Sequence, residues 1–163
     1  MYLRLLLTCF SLTFLASCST ARHSNVLSTT PKGYTNTEKE EIITYAEQQL
    51  GTRYKYGGKD PKGFDCSGFT SYVLRNFGRT LDATAHGQAN QGKAISPEEA
   101  APGDLVFFKR PGQSRIFHVS LVVANSREGI IVIHSTTSRG VVRENISRSS
   151  YWQPFIHAIR RVL

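Results

Sequence analysis

The chain changes texture once, at Pro102-Gly103-Asp104, and that change limits the folds open to it. Ahead of it, apolar residues recur at helical spacing. Ile42, Ile43, Ala46 and Leu50 mark one face, with Thr37 and Glu40 at capping-box spacing before them and Gly51 behind. A second helical period starts near Cys66, runs through Phe69, Val73 and Phe77, and stops at Gly78. The stretch from Thr84 to Gln91 reads as a short third helix. Behind the change, "LVFFK", "FHVSLVVA" and "IIVIH" are short, rich in β-branched and aromatic residues, and separated by turn signals. The closing "FIHAIRRVL" reads as a last strand. Helices first and antiparallel strands afterwards predict an α+β domain, its N-terminal helices packed on one central antiparallel β-sheet.

The N-terminus is of a different kind. Arg4 precedes an apolar run from Leu5 to Phe14, too short to span a bilayer comfortably and built like the core of a signal peptide. The "LASC" that follows resembles a bacterial lipobox, which is cut just before its cysteine. This predicts a signal peptide over 1–17, lipidation of Cys18, a polar tether over 18–36 and a single domain over 37–163. Ser19, rather than Asp, follows Cys18. In the usual Gram-negative sorting pattern that predicts a cell-envelope protein anchored on the periplasmic face of the outer membrane.

Lys and Arg number 20 against 12 Asp and Glu, a formal net charge of +8. The arginines at 110, 115, 127, 139, 143, 148, 160 and 161 are dispersed rather than gathered on one helix. Export makes nucleic acid a poor partner. An anionic wall or membrane surface, or simply a soluble basic surface, accounts for the excess.

Processing also leaves Cys66 as the lone free thiol, because Cys9 departs with the signal and Cys18 carries lipid. A lone thiol in an exported protein makes no internal disulfide, so it is either core packing or chemistry. Cys66 opens a helix, where free N–H groups and the helix dipole favour a thiolate, and Gly63 and Gly68 allow close backbone approach around it. A cysteine nucleophile needs a base and a group to orient that base. Of five histidines, His23 lies in the tether, His157 near the C-terminus and His86 in the short third helix. His118 alternates with the apolar ladder Phe117, Val119, Leu121 and Val123, so it is expected to face a cleft between the sheet and the first helices. His134 ends the next strand, placed to accept a hydrogen bond from the His118 ring and fix its tautomer. A metal held by Cys66, His118 and His134 is the alternative, but no CxxC or HExxH pair accompanies them, and no metal or organic cofactor is expected.

At this point four ordered motifs carry a resemblance: "FDCSGF" at 64–69, "PGDLVFF" at 102–108, "HVSLV" at 118–122 and "IHSTTS" at 133–138. They resemble the NlpC family of papain-like cysteine endopeptidases of the bacterial cell wall, over about Glu38 to Leu163. The resemblance implies a nucleophile at Cys66, a base at His118 and an orienting His134. It also implies that Tyr54, in "YKYGG", assists the oxyanion or substrate. Asp65 and Ser67 would contact the amine end or acyl portion of a peptidoglycan stem peptide, the implied partner. Ser120 stands where the family usually has glycine, Ala83 near a frequent arginine, and His86 in place of a common aromatic. These departures leave the bond preference open. An amidase or acyltransferase on the same scaffold, or a non-catalytic wall-binding lipoprotein, are the competing readings. Oligomeric state is not legible.

Overall fold

The computed structural model describes residues 35–162. The predicted signal peptide, Cys18 and nearly all of the tether lie outside them. No helix among the described residues is long and apolar enough to cross a membrane.

Helix α1 (Asn36–Glu47) starts earlier than expected. Thr35 is its N-cap: the Thr35 hydroxyl accepts from the Glu38 N–H at 3.1 Å, and the Glu38 carboxylate accepts from the Thr35 N–H at 2.8 Å. Thr37 and Glu40 have the same spacing, so spacing alone does not choose. The earlier box lengthens the helix by two residues, and each adds a backbone hydrogen bond. Ile42 and Ala46 are fully buried, whereas Leu50 is 43% exposed, because the helix has ended before it. A two-residue hairpin, β1 (Lys59–Asp60) with β2 (Gly63–Phe64), precedes α2 (Cys66–Arg75). Phe69, Val73 and Leu74 of α2 are buried, and Tyr72 stacks on Tyr45 of α1 at 5.6 Å between ring centroids. Helix α3 is short (Ala85–Gln88) and capped by Thr84.

Six strands form one antiparallel sheet: β3 (Lys93–Ile95), β4 (Leu105–Lys109), β5 (Ile116–Ser126), β6 (Gly129–Thr136), β7 (Gly140–Asn145) and β8 (Ile156–Arg161). Their order across the sheet is β3-β8-β4-β5-β6-β7. The four apolar segments seen in the sequence are β4, β5, β6 and β8. Strands β3 and β7 escaped the strand pattern because one is a three-residue edge and the other turns charged after Val142.

Both faces of the sheet are covered. Val119, Leu121, Val123, Phe107 and Ile133 pack with Phe69 and Val73 on the helix side. Val106, Phe108, Val122 and Val132 pack with Ile146 and Trp152 on the other. Burial on both faces explains why β4 reads as a continuous apolar run rather than an alternation. The Asp104 carboxylate, 2% exposed, accepts from Arg161 Nε at 3.0 Å and Nη2 at 2.9 Å, tying the turn before β4 to β8.

One detail of register corrects the expected ladder. Phe108 pairs with His118 but Lys109 pairs with Ile116, so Phe117 is an extra residue in β5. That bulge turns Phe117 to the Trp152 side while Ile116 stays with the helix-side core. Val119, Leu121 and Val123 face the helices as a set without Phe117. His118 alternates with that set, as expected, and borders the cleft at the start of α2. Its ring lies in the second layer, stacked on Trp152 at 4.5 Å and beside Phe108 at 5.5 Å.

Candidate active site

Cys66 is the first residue of α2, and the local sequence dictates how it is held. Asp65 caps the helix: Oδ1 accepts from the Gly68 N–H at 2.6 Å, and Oδ2 accepts from the Gly57 N–H at 3.0 Å. Gly68 rests directly on the hairpin, since a Cβ there would come within 1.9 Å of the Gly58 carbonyl oxygen. Behind the helix, the buried Gln88 amide donates to the Ser67 carbonyl at 3.1 Å and accepts from the Thr70 hydroxyl at 2.8 Å. The helix start is thus fixed from three sides.

Helix α2 abuts β5 at the bulge, and the Val119 backbone N–H is directed at the Cys66 sulfur. Cys66 and His118 consequently line one cavity of about 410 Å³, with Tyr54, Arg110, Arg139, Glu144, Tyr151 and Trp152 among its walls. A second limb opens on the other side of Cys66, walled by Tyr54, Asp65, Ser67, His86 and Arg115. Cys66, His118, Tyr54, Asp65 and Ser67 therefore line this two-limbed cleft, whereas His134, fully buried, lies behind His118 and lines neither limb. His157 is exposed on β8 and belongs to neither limb.

Asp65 and Ser67 have more internal work than the sequence suggested. Both Asp65 oxygens accept backbone N–H groups. The Ser67 hydroxyl, 5% exposed, reaches the Ala83 carbonyl at 3.1 Å and Asp65 Oδ1 at 3.2 Å. They shape the loop that carries the sulfur. Tyr54 is half-buried and borders both limbs; burial raises its phenol above the ordinary range, as do negative charge at Cys66 and Asp65.

His118 Nε2 lies 3.0 Å from His134 Nδ1, and both rings are buried. His134 Nε2 in turn lies 3.4 Å from Glu144 Oε2. Burial drives His118 well below its usual range, with the neighbouring His134 adding to the effect. Burial also takes His134 down to about 4, against the opposing pull of Glu144. The Cys66 thiol moves the other way. Burial raises it to about 11, and the N–H groups of Val119, Ser67 and Cys66 itself offset only part of that. The helix start alone suggested a depressed thiol; desolvation outweighs it, and the resting pair is a neutral thiol beside a neutral imidazole.

Trp152, Gln88 and Glu144 were not picked out from sequence. Trp152 sits in an irregular segment and Glu144 in a strand without apolar alternation, so neither carried a periodic signal. Ser120, flagged by the motif comparison, is fully buried, and its hydroxyl has no hydrogen-bond partner among the described residues. No three His, Cys, Asp or Glu side chains among the described residues are grouped to hold a metal ion.

A cysteine at a helix start set near a β-strand histidine, on an antiparallel sheet of this order, is a papain-like α+β architecture. Residues 51–161 match the NlpC/P60 family, and the chain belongs to it. It is similar to an NlpC/P60 family protein from Bacillus cereus ATCC 10987, with a TM-score of 0.70 at 28% identity over 77% of this chain and 40% of that one. It is 37% identical over 130 residues to the gamma-DL-glutamyl hydrolase of Bacillus subtilis (strain 168), covering 78% of this chain and 30% of that protein. It is 33% identical over 126 residues to the murein DD-endopeptidase MepS/murein LD-carboxypeptidase of Escherichia coli (strain K12), covering 77% of this chain and 63% of that protein. The chain thus spans less than two thirds of the length of either relative.

Proposed function

We propose that this protein is a cysteine endopeptidase of the bacterial cell wall, with Cys66 as nucleophile, His118 as base and then acid, and His134 orienting His118. The observation that carries the reading is the 3.0 Å contact between His118 Nε2 and His134 Nδ1 beside the cleft that holds Cys66. With Nε2 engaged, Nδ1 is the His118 nitrogen left for the thiol. The proton moves from sulfur to that nitrogen as sulfur bonds to the scissile carbonyl carbon, whose oxygen takes the electron pair. The Cys66 and Ser67 N–H groups beside the sulfur, with the Tyr54 hydroxyl, are the donors for that oxyanion. Collapse breaks the C–N bond, His118 returns its proton to the leaving amine, and a thioester remains. Water, deprotonated through the same nitrogen, releases the acid and restores the thiol.

Peptidoglycan stem peptides or their cross-links are the proposed substrate, supported by family membership and by the murein named for one relative. The names of the two relatives point to different bonds, a γ-glutamyl link in one and DD or LD links in the other. In this reading Tyr54, Asp65 and Ser67 wall the limb that receives the acyl side. The lipid anchor at Cys18, the signal peptide before it, the tether to residue 36 and outer-membrane placement belong to the same proposal, supported by "LASC" and Ser19. The test is digestion of purified peptidoglycan by the wild type and by Cys66→Ala, with fragment masses read by mass spectrometry. New peptide ends from the wild type alone support the reading and name the bond. Separation of glycan from peptide would assign an amidase instead, and wall binding without cleavage a binding lipoprotein.

A further inference from the structure

Glu144 lies on β7, paired in register with Val132 of β6, and its carboxylate gathers donors from three directions. Oε2 accepts from the Arg139 guanidinium at 2.5 Å and from the Trp152 indole N–H at 3.2 Å, and it lies 3.4 Å from His134 Nε2. Oε1 accepts from the Ser149 hydroxyl at 3.3 Å. Burial works against ionisation of Glu144, but the Arg139 guanidinium and then His134 together outweigh it and keep the carboxyl below its usual range.

An ionised carboxylate can only accept, so the proton in its contact with His134 sits on Nε2. A neutral His134 with its proton on Nε2 has a bare Nδ1. That bare nitrogen must accept across the 3.0 Å contact, so the proton there belongs to His118 Nε2. His118 is then left with a bare Nδ1. One carboxylate sets two tautomers in series, and the second is the form a base at the cleft requires. The opposite assignment would place an N–H where the thiol has to deliver its proton.

We infer that Glu144, held by Arg139 and Trp152, is a positioning residue that fixes the protons of His134 and His118 on their Nε2 atoms and leaves His118 Nδ1 free to act as base. The inference rests on the reading of His118 as the base, but its first test does not need turnover. Nitrogen-15 spectra of the imidazoles in the whole chain report which ring nitrogen carries the proton. The wild type is expected to show both histidines as Nε2–H tautomers. A proton on His134 Nδ1 in the wild type overturns the inference, whatever the variants do.

Glu144→Gln retains an oxygen that can accept from Arg139, Trp152 and His134. It is expected to keep both tautomers and a kcat on peptidoglycan fragments within about threefold of wild type. Glu144→Ala removes the acceptor. It is expected to mix the tautomers and lower kcat by about tenfold or more, with KM within about twofold, as befits lost base function. Unchanged tautomers in a folded Glu144→Ala protein overturn the inference. So does a loss of kcat that follows thermal stability in both variants alike, which is the mark of a merely structural role. Absence of any peptidoglycan cleavage by the wild type would defeat the endopeptidase reading while the tautomer spectra still decide this one.

Discussion

At the level of single residues, the proposed mechanism makes Cys66 reactive through its partner rather than through its own ionisation. Burial holds its thiol at about 11 and keeps His118 neutral, so the thiolate forms only as proton transfer accompanies attack. Iodoacetamide reacts with thiolate, so its rate at Cys66, followed by peptide mass spectrometry, should be low at pH 7. It should then rise roughly tenfold per pH unit between pH 8 and 10. A rate already at its plateau by pH 7 would indicate a preformed thiolate–imidazolium pair. The nearness of His118 to His134 and to the cleft of Cys66 was legible because a lone cysteine and two strand histidines stand out by residue type. Glu144 was not. It is one of 12 acids in the chain, and only the pairing of β7 with β6 brings it to His134.

At the level of elements, the start of α2 is positioned by groups that sequence periodicity cannot show. Gln88 is fully buried, and its amide nitrogen reaches the Ser67 carbonyl at 3.1 Å, the Ser71 hydroxyl at 2.9 Å and the Asp82 carbonyl at 2.9 Å. Gln88→Ala would strand those groups at a cost on the order of 2–4 kcal/mol. Urea unfolding of the variant checks this, and a loss below about 0.5 kcal/mol would contradict it. Helix α2 itself was legible from Phe69, Val73 and Gly78, because its apolar period and its glycine stop are local. The bulge at Phe117 was not, because it is a property of pairing between β4 and β5 and leaves no mark within β5. It reverses the side on which Phe117 falls and brings Phe117 to Trp152 beside His118. The earlier cap at Thr35 is a smaller miss of the same kind, since two boxes with equal spacing compete.

At the level of the whole molecule, the sheet is a wall buried on both sides, and it encloses two histidines in neutral form. His134 drops to about 4 and His118 well below its ordinary range, both mainly through burial. The sign follows from the folded values lying below the unfolded value of about 6.5. Between the two the unfolded chain binds more protons, so stability present above pH 6.5 is lost as pH falls toward 4. Thermal unfolding should therefore show a melting temperature nearly flat from pH 7 to 8 and falling steadily from pH 6.5 to 4. A flat profile down to pH 4.5 would mean the histidines are not buried neutral. The α+β architecture was legible as a whole because helical and β-rich texture are separated at Pro102-Gly103-Asp104. The second covered face was not, since an irregular segment around Trp152 supplies it rather than a helix.

The measurement that tests the central claim most directly is the intact mass of the protein after rapid acid quench during reaction with peptidoglycan fragments. Acid preserves a thioester. The account predicts a transient mass increase equal to the acyl fragment, mapped to Cys66 by digestion and absent from Cys66→Ala. Steady cleavage with no adduct on Cys66, or cleavage that survives in Cys66→Ala, would contradict it.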